Sequence, residues 1–227
     1  IHYYDIHYAL GEDWYQSHFT LNDQHEIIFD PTYSYIRSPY APQRIYQDAP
    51  DAQFILALRD PVERAYSHYW HEYKKDKIAF AFHEVLENYD LFQNWIEPGV
   101  PVAQLKAYLA YFPGAQFFFL DYERVAREPL ALYSEICGFL GLDADYVPDG
   151  LEKSYNVAAP RIASHKNRML RRLNLHKSMP AVYRRLGGIQ KYQRGVDPDT
   201  REAILQRIRI LIDELESLVE RDLGHWK

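Results

Sequence analysis

Arg59 and Ser67 are the residues whose types and spacing point most directly to chemistry. They lie in the stretch Leu58-Arg59-Asp60-Pro61-Val62-Glu63-Arg64-Ala65-Tyr66-Ser67-His68-Tyr69. The run before it, Phe54-Ile55-Leu56-Ala57-Leu58, is short and apolar, as a buried parallel strand is. Asp60 suits an N-cap and Pro61 the first position of a helix. A strand that turns directly into a helix aims backbone N–H groups and a positive dipole end at one spot, which suits an anion. Arg59 adds a forked cation there, and Ser67 adds a hydroxyl further along the helix.

The elements around this stretch alternate between strands and helices. Glu26 to Phe29 reads as a short strand, Gln53 to Leu58 as a second and Gln116 to Leu120 as a third. Helices are predicted from Pro61 to about Lys75, Val102 to Phe112 and Leu130 to Leu140, the last stopped at Gly141. A long final helix is capped by Asp197-Pro198. Val62, Ala65, Tyr66, Tyr69, Trp70 and Tyr73 recur at helical spacing, so this aromatic stripe is expected in the core, with Ser67 off it. The pattern predicts an α/β protein with a parallel sheet.

Bulk properties exclude several classes. The 227 residues suffice for one domain with a real core. The net charge of −6 argues against general nucleic-acid binding. No apolar run is long enough to span a membrane. No signal-peptide pattern stands at the start and there is no Asn-x-Ser/Thr site, so a cytoplasmic location is expected. Cys137 is the sole cysteine; it excludes an internal disulfide and reads as packing. No His or Cys spacing makes a convincing zinc site, and no metal is expected. From Lys153 to Val196 there is no Asp or Glu, while Arg161, Lys166, Arg168, Arg171, Arg172, Lys191 and Arg194 all fall there. A basic block in an acidic chain suggests an anionic ligand, although a solvated helix face has the same composition.

The Arg59–Ser67 segment resembles the 3′-phosphate-binding motif of sulfotransferases that use 3′-phosphoadenosine 5′-phosphosulfate (PAPS), above all their heparan-sulfate-type and bacterial branches. Other blocks resemble the family in the same order. They are Ile1-His2-Tyr3-Tyr4-Asp5 with Gly11-Glu12-Asp13-Trp14-Tyr15, Asp30 through Tyr35, Ala41-Pro42-Gln43-Arg44-Ile45, and Phe117 to Leu142. The resemblance implies a P-loop-NTPase-like three-layer fold, a central parallel sheet flanked by helices, in a single sulfotransferase domain over 1–227. It implies in-line transfer of a sulfuryl group from PAPS to a hydroxyl acceptor, leaving 3′-phosphoadenosine 5′-phosphate (PAP). Sulfotransferases of this family need no metal.

On this resemblance Arg59 and Ser67 hold the 3′-phosphate. Arg161, after Ala159-Pro160, is a second phosphate contact, and Lys191 or Arg194 closes over the donor. His2 stands beside the family's catalytic Glu, which would fall just upstream of Ile1, and could accept a proton or orient the acceptor. Asp30 matches an active-site acid of the second block. Pro31 replaces a Lys of the heparan-type enzymes, which removes one expected cation. Tyr33 and Tyr35 are candidates for the acceptor cleft. The family's first strand, phosphosulfate loop and helix have no counterpart here, and the expectation is that they precede Ile1. Two other readings remain: a catalytically silent nucleotide-binding or interaction module, and a nucleotide-kinase-like transferase. The absence of Gly-x-x-x-x-Gly-Lys-Ser/Thr argues against the second.

Overall fold

A computed structural model describes residues 1–20, 27–73, 75, 80–151 and 195–227. Helices α1 (Glu12–Gln16) and α2 (Ala41–Asp48) precede strand β1 (Phe54–Leu58), which runs into α3 (Pro61–Tyr73). Helices α4 (Tyr89–Trp95) and α5 (Val102–Leu109) lead to β2 (Phe117–Asp121), followed by α6 (Arg124–Arg127), α7 (Pro129–Leu140) and α8 (Pro198–Val219). The strands pair in parallel, with Phe54 opposite Phe117 and Leu58 opposite Asp121. The ladder runs one step further, because the Tyr122 N–H donates to the Leu58 carbonyl at 2.9 Å. Both strands thus end at the same height, and their following turns, at Arg59 and Tyr122, lie side by side.

The predicted face of α3 is the observed one. Val62, Ala65, Tyr66, Tyr69 and Trp70 of α3 are buried, and Tyr73 is half-buried. On α8, Ile204, Ile208, Ile212, Leu215 and Val219 form the inner stripe, packed on α5 and α3. Asp197 caps α8 by accepting the Thr200 N–H at 3.0 Å, and Gly141 closes α7 at φ 73°. Cys137 is buried and free. Val102–Leu109 is shorter than expected: the Tyr111 and Phe112 N–H groups both turn back to the Tyr108 carbonyl. This turn seats Phe112, 1% exposed, in the core before Pro113.

One predicted strand does not form. Ile27, Ile28 and Phe29 are exposed and carry no strand pairing, and Glu26 lies outside the described residues. β-branched residues favour a strand only where a partner ladder accepts them, and among the described residues β1 pairs with β2 alone.

Two contacts fix the start of α3. A Cβ on Gly99 would sit 2.8 Å from the Pro61 Cα, so glycine lets the Glu97–Gly99 turn brace the first helical residue. From the other side Arg201 of α8 reaches the Asp60 carboxylate at 2.5 Å and the Trp226 carbonyl at 3.0 Å. Among the described residues no helix is long and apolar enough to cross a membrane.

Candidate active site

Asp60 determines what the strand–helix junction can bind. It is 7% exposed, and its Oδ1 accepts the N–H groups of Val62 at 2.8 Å and Glu63 at 3.0 Å. The cap predicted at Asp60 is present, and it alters the first expectation. The backbone donors at the helix start are already spent on a carboxylate, so they are not open to an incoming anion. Anion recognition at this junction falls to side chains.

Those side chains are available. The Arg59 guanidinium lies over the Tyr122 ring, with its central carbon 4.8 Å from the centroid. This is a cation–π shelf that orients the fork without neutralising it. Ser67 is exposed, and among the described residues its hydroxyl has no protein partner. Arg64, three residues before Ser67 and so on the same side of α3, is half-buried. Burial, then the charges of Arg37 and Arg59, lower its guanidinium from the ordinary value.

Beside Arg59 sits a carboxyl pair from the end of β2. Burial, then the hydrogen bond and charge of Asp121, raise the Glu123 carboxyl, against the opposing charge of Arg59. For Asp121 burial acts upward too, but hydrogen bonds from Glu123 and the charges of His225 and Arg127 outweigh it and hold that carboxyl low. Asp121, Glu123 and His225 bring possible ligand atoms within 4.8 Å of one another. Arg127, 3.5 Å from Asp121, already answers part of that charge. A carboxyl whose folded pKa lies above its unfolded one favours folding at low pH and loses that contribution as pH rises through the folded value. Glu123→Gln keeps a donor towards Asp121 and removes the ionisation. It is therefore expected to raise the melting temperature at pH 7 and to leave it nearly unchanged near pH 4, as read by thermal melts of both proteins.

The second cluster is built by the first few residues and the turn Tyr33–Arg37. His2 has a left-handed backbone, φ 60° and ψ 33°, uncommon for a residue with a side chain. This conformation turns its carbonyl onto the N–H groups of Ile6 and His7, at 3.1 and 2.9 Å. The His2 Nδ1 is 3.1 Å from Asp5 Oδ2. The Ser34 hydroxyl donates to the same oxygen at 2.5 Å and lies 3.1 Å from His2 Nδ1. With Nδ1 carrying the proton towards Asp5, Nε2 keeps its lone pair, and the ring is 42% exposed. Burial alone would raise the Asp5 carboxyl; the bonds from Ser34 and His2 outweigh it and hold it below the ordinary value. Asp5 Oδ1 is buried without a hydrogen bond.

Asp30 is placed differently from a free base. Its oxygens accept from the hydroxyls of Tyr15 (3.1 Å), Tyr35 (2.7 Å) and Thr32 (2.5 Å) and from the Thr32 N–H (3.0 Å). Tyr35 in turn accepts the Tyr3 N–H at 3.0 Å, and Thr32 Oγ1 accepts the His2 N–H at 3.4 Å. Asp30 thus anchors the segment that carries His2. Burial, then the bond to Asp30, push the Tyr35 hydroxyl up to about 12. Tyr35 is buried packing, whereas Tyr33 is 82% exposed.

The turn Tyr33–Arg37 carries Ser34 of this second cluster and ends on Arg37. Side chains three apart on a 3₁₀ turn eclipse one another, so Ser34 and Arg37 share a face. The charge of Arg37 is one of the influences that lower the Arg64 guanidinium. Of the residues expected at the site, Asp30 is linked to the His2 backbone through Thr32, while Arg59 precedes α3 and Ser67 lies on its second turn. Arg161, Lys191 and Arg194 lie outside the described residues. Asp5, Ser34 and Tyr122 contact these residues without having been singled out in the sequence. Asp5 carried a local signal, its three-residue spacing from His2, as Arg64 does in its three-residue spacing from Ser67.

An arginine fork at a strand–helix junction, an exposed hydroxyl on the helix that follows and a carboxylate-held imidazole sit in a recognisable class. The sulfotransferase family profile matches residues 7–146, and the chain belongs to that family. Its fold is the P-loop-like α/β fold of sulfotransferases: a sulfotransferase from Alicyclobacillus acidocaldarius superposes with a TM-score of 0.68 at 25% identity, over 95% of this chain and 74% of that one. The chain is 32% identical over 146 residues to the human heparan sulfate glucosamine 3-O-sulfotransferase 6, covering 62% of this chain and 43% of that protein. It is 30% identical over 152 residues to the human bifunctional heparan sulfate N-deacetylase/N-sulfotransferase 3, covering 61% of this chain and 17% of that protein. The chain therefore spans less than half the length of these two relatives.

Proposed function

We propose that this chain transfers a sulfuryl group from PAPS to a hydroxyl of a small molecule, lipid, acyl chain or glycan. The observation that carries the reading is the Arg59 fork, held over Tyr122 without an ion pair among the described residues, with the exposed Ser67 hydroxyl on the second turn of the helix that follows. A charged fork and a hydroxyl fit the 3′-phosphate of PAPS, the group that separates this donor from common nucleotides. PAPS supplies an activated sulfuryl group whose displacement leaves PAP.

The residues of the chain have three tasks. Arg59 and Ser67 anchor the donor, which turns a bimolecular encounter into a positioned one. His2 Nε2 takes the proton of the attacking hydroxyl, and Asp5 stabilises the imidazolium through Nδ1. Asp30, through Thr32 and Tyr35, holds the backbone that presents His2.

The test is incubation of the full chain with sulfur-labelled PAPS and hydroxyl acceptors of each class. Transfer of label is expected to one class; no transfer to any, together with no binding of PAP, would overturn the reading. His2→Gln is expected to lower kcat roughly 100-fold or more, the scale of a lost general base. Calorimetric affinity for PAP should stay at the wild-type value, because His2 belongs to the other cluster.

A further inference from the structure

We propose that Ser34 is the positioning residue that fixes the proton of the His2 ring on Nδ1, an inference whose consequence for the reaction rests on the reading of His2 as its base. Three side chains meet within hydrogen-bond reach. The Ser34 hydroxyl donates to Asp5 Oδ2 at 2.5 Å. His2 Nδ1 stands 3.1 Å from that same oxygen and 3.1 Å from Ser34 Oγ. A hydroxyl has one proton to give. Once Ser34 gives it to the carboxylate, both atoms facing Nδ1 offer lone pairs. A bare Nδ1 would meet two of them, whereas a protonated Nδ1 donates to both. The hydroxyl therefore selects the tautomer, and Nε2 is left as the acceptor of the ring. The other tautomer would present an N–H to the acceptor substrate and could not take its proton.

Asp5 without Ser34 would hold the ring loosely. Its side chain is 10% exposed, and among the described residues the side chains bonded to it are those of Ser34 and His2. The bond from Ser34 is the shorter of the two. Asp5 Oδ1 is buried without a hydrogen bond. A rotation that brought this oxygen a partner would relieve an unpaired buried acceptor, and the Ser34 bond opposes it. Ser34 is itself fixed, because it sits on the turn Tyr33–Arg37. Tyr35 of that turn is buried, donates to Asp30 at 2.7 Å and accepts the Tyr3 N–H at 3.0 Å. Tyr3 follows His2 directly, so the hydroxyl and the ring are tied to one frame.

Long-range proton–nitrogen NMR spectra of the full chain, at a pH where the ring is neutral, read the tautomer directly. H2Q identifies the His2 signals among the ten histidines. Wild type and S34T are expected to show the Nδ1–H form and S34A a mixture of both forms, with cooperative melting checking the fold of each variant. A wild-type-like spectrum in S34A overturns the proposal, and so does an Nε2–H form in wild type. The spectra need no turnover, so they decide the proposal even if no acceptor is sulfated. With labelled PAPS and an acceptor that wild type uses, S34A is expected to lower kcat about tenfold, part of the roughly 100- to 10,000-fold that a positioned base supplies. KM for PAPS should stay unchanged, and S34T should restore most of the rate. A mixed tautomer in S34A with wild-type kcat upholds the role of Ser34 and overturns that of His2 as base.

Discussion

Arg59→Ala is expected to weaken binding of PAP by roughly 2–3 kcal/mol, about 30- to 150-fold, the scale of a lost charge-assisted contact. The affinity for adenosine 5′-monophosphate should hardly move. The size of the effect follows from the state of the side chain in the free protein. Arg59 has no ion pair to break among the described residues, and Tyr122 holds its fork in place. Little ordering is therefore charged to binding, and the guanidinium offers two parallel donors to one phosphate. The same facts predict a small effect on folding, because the variant loses only a cation–π contact of about 0.5–1 kcal/mol. Ser67→Ala should weaken PAP less, by about 1 kcal/mol, since a neutral hydroxyl is lost. Calorimetry with both nucleotides and a denaturation curve read all three quantities. Equal losses for the two nucleotides in R59A would place the fork elsewhere than on the 3′-phosphate.

Asp60→Ala is expected to be the most destabilising substitution near the site, by roughly 2–4 kcal/mol, summing a lost N-cap and an abandoned partly buried cation. Asp60 bonds two N–H groups of α3 with one oxygen and Arg201 with the other. Alanine therefore uncaps the helix and leaves the Arg201 guanidinium with the Trp226 carbonyl as its remaining partner. Asp60→Asn keeps an acceptor for the cap and removes the charge, so it should fall between the two. In a chain of this size each kcal/mol moves the melting temperature by about 2–4 °C, so thermal and urea unfolding resolve the series. A wild-type-like D60A would mean that α3 is held by its buried aromatic stripe alone.

Much of the framework was legible because its causes are local. The cap at Asp60, the proline behind it, the buried stripe of α3 and the apolar seam of α8 are all written within a turn or two of chain, where spacing decides burial. The strand expected at Glu26–Phe29 marks the limit of that reasoning. Apolar β-branched residues do not make a strand unless a neighbouring ladder takes their backbone groups, and no local pattern reports the neighbour. The open helix start expected at Pro61 was amended for a related reason: the residue that signals the cap is the one that consumes the donors.

Sequence alone determined the order of strand, turn and helix around Arg59, the position of Ser67 on the solvent side of α3, and the membership of the family. These rest on periodicity, capping and motif spacing, which act over a few residues. Tertiary structure decided which distant groups meet: Ser34 with His2 and Asp5, Tyr122 beneath Arg59, Arg201 on Asp60, and four donors on Asp30. Each of these pairings joins polar groups whose partners are chosen by how the elements pack, and an isolated polar residue carries no local mark of the partner it will find.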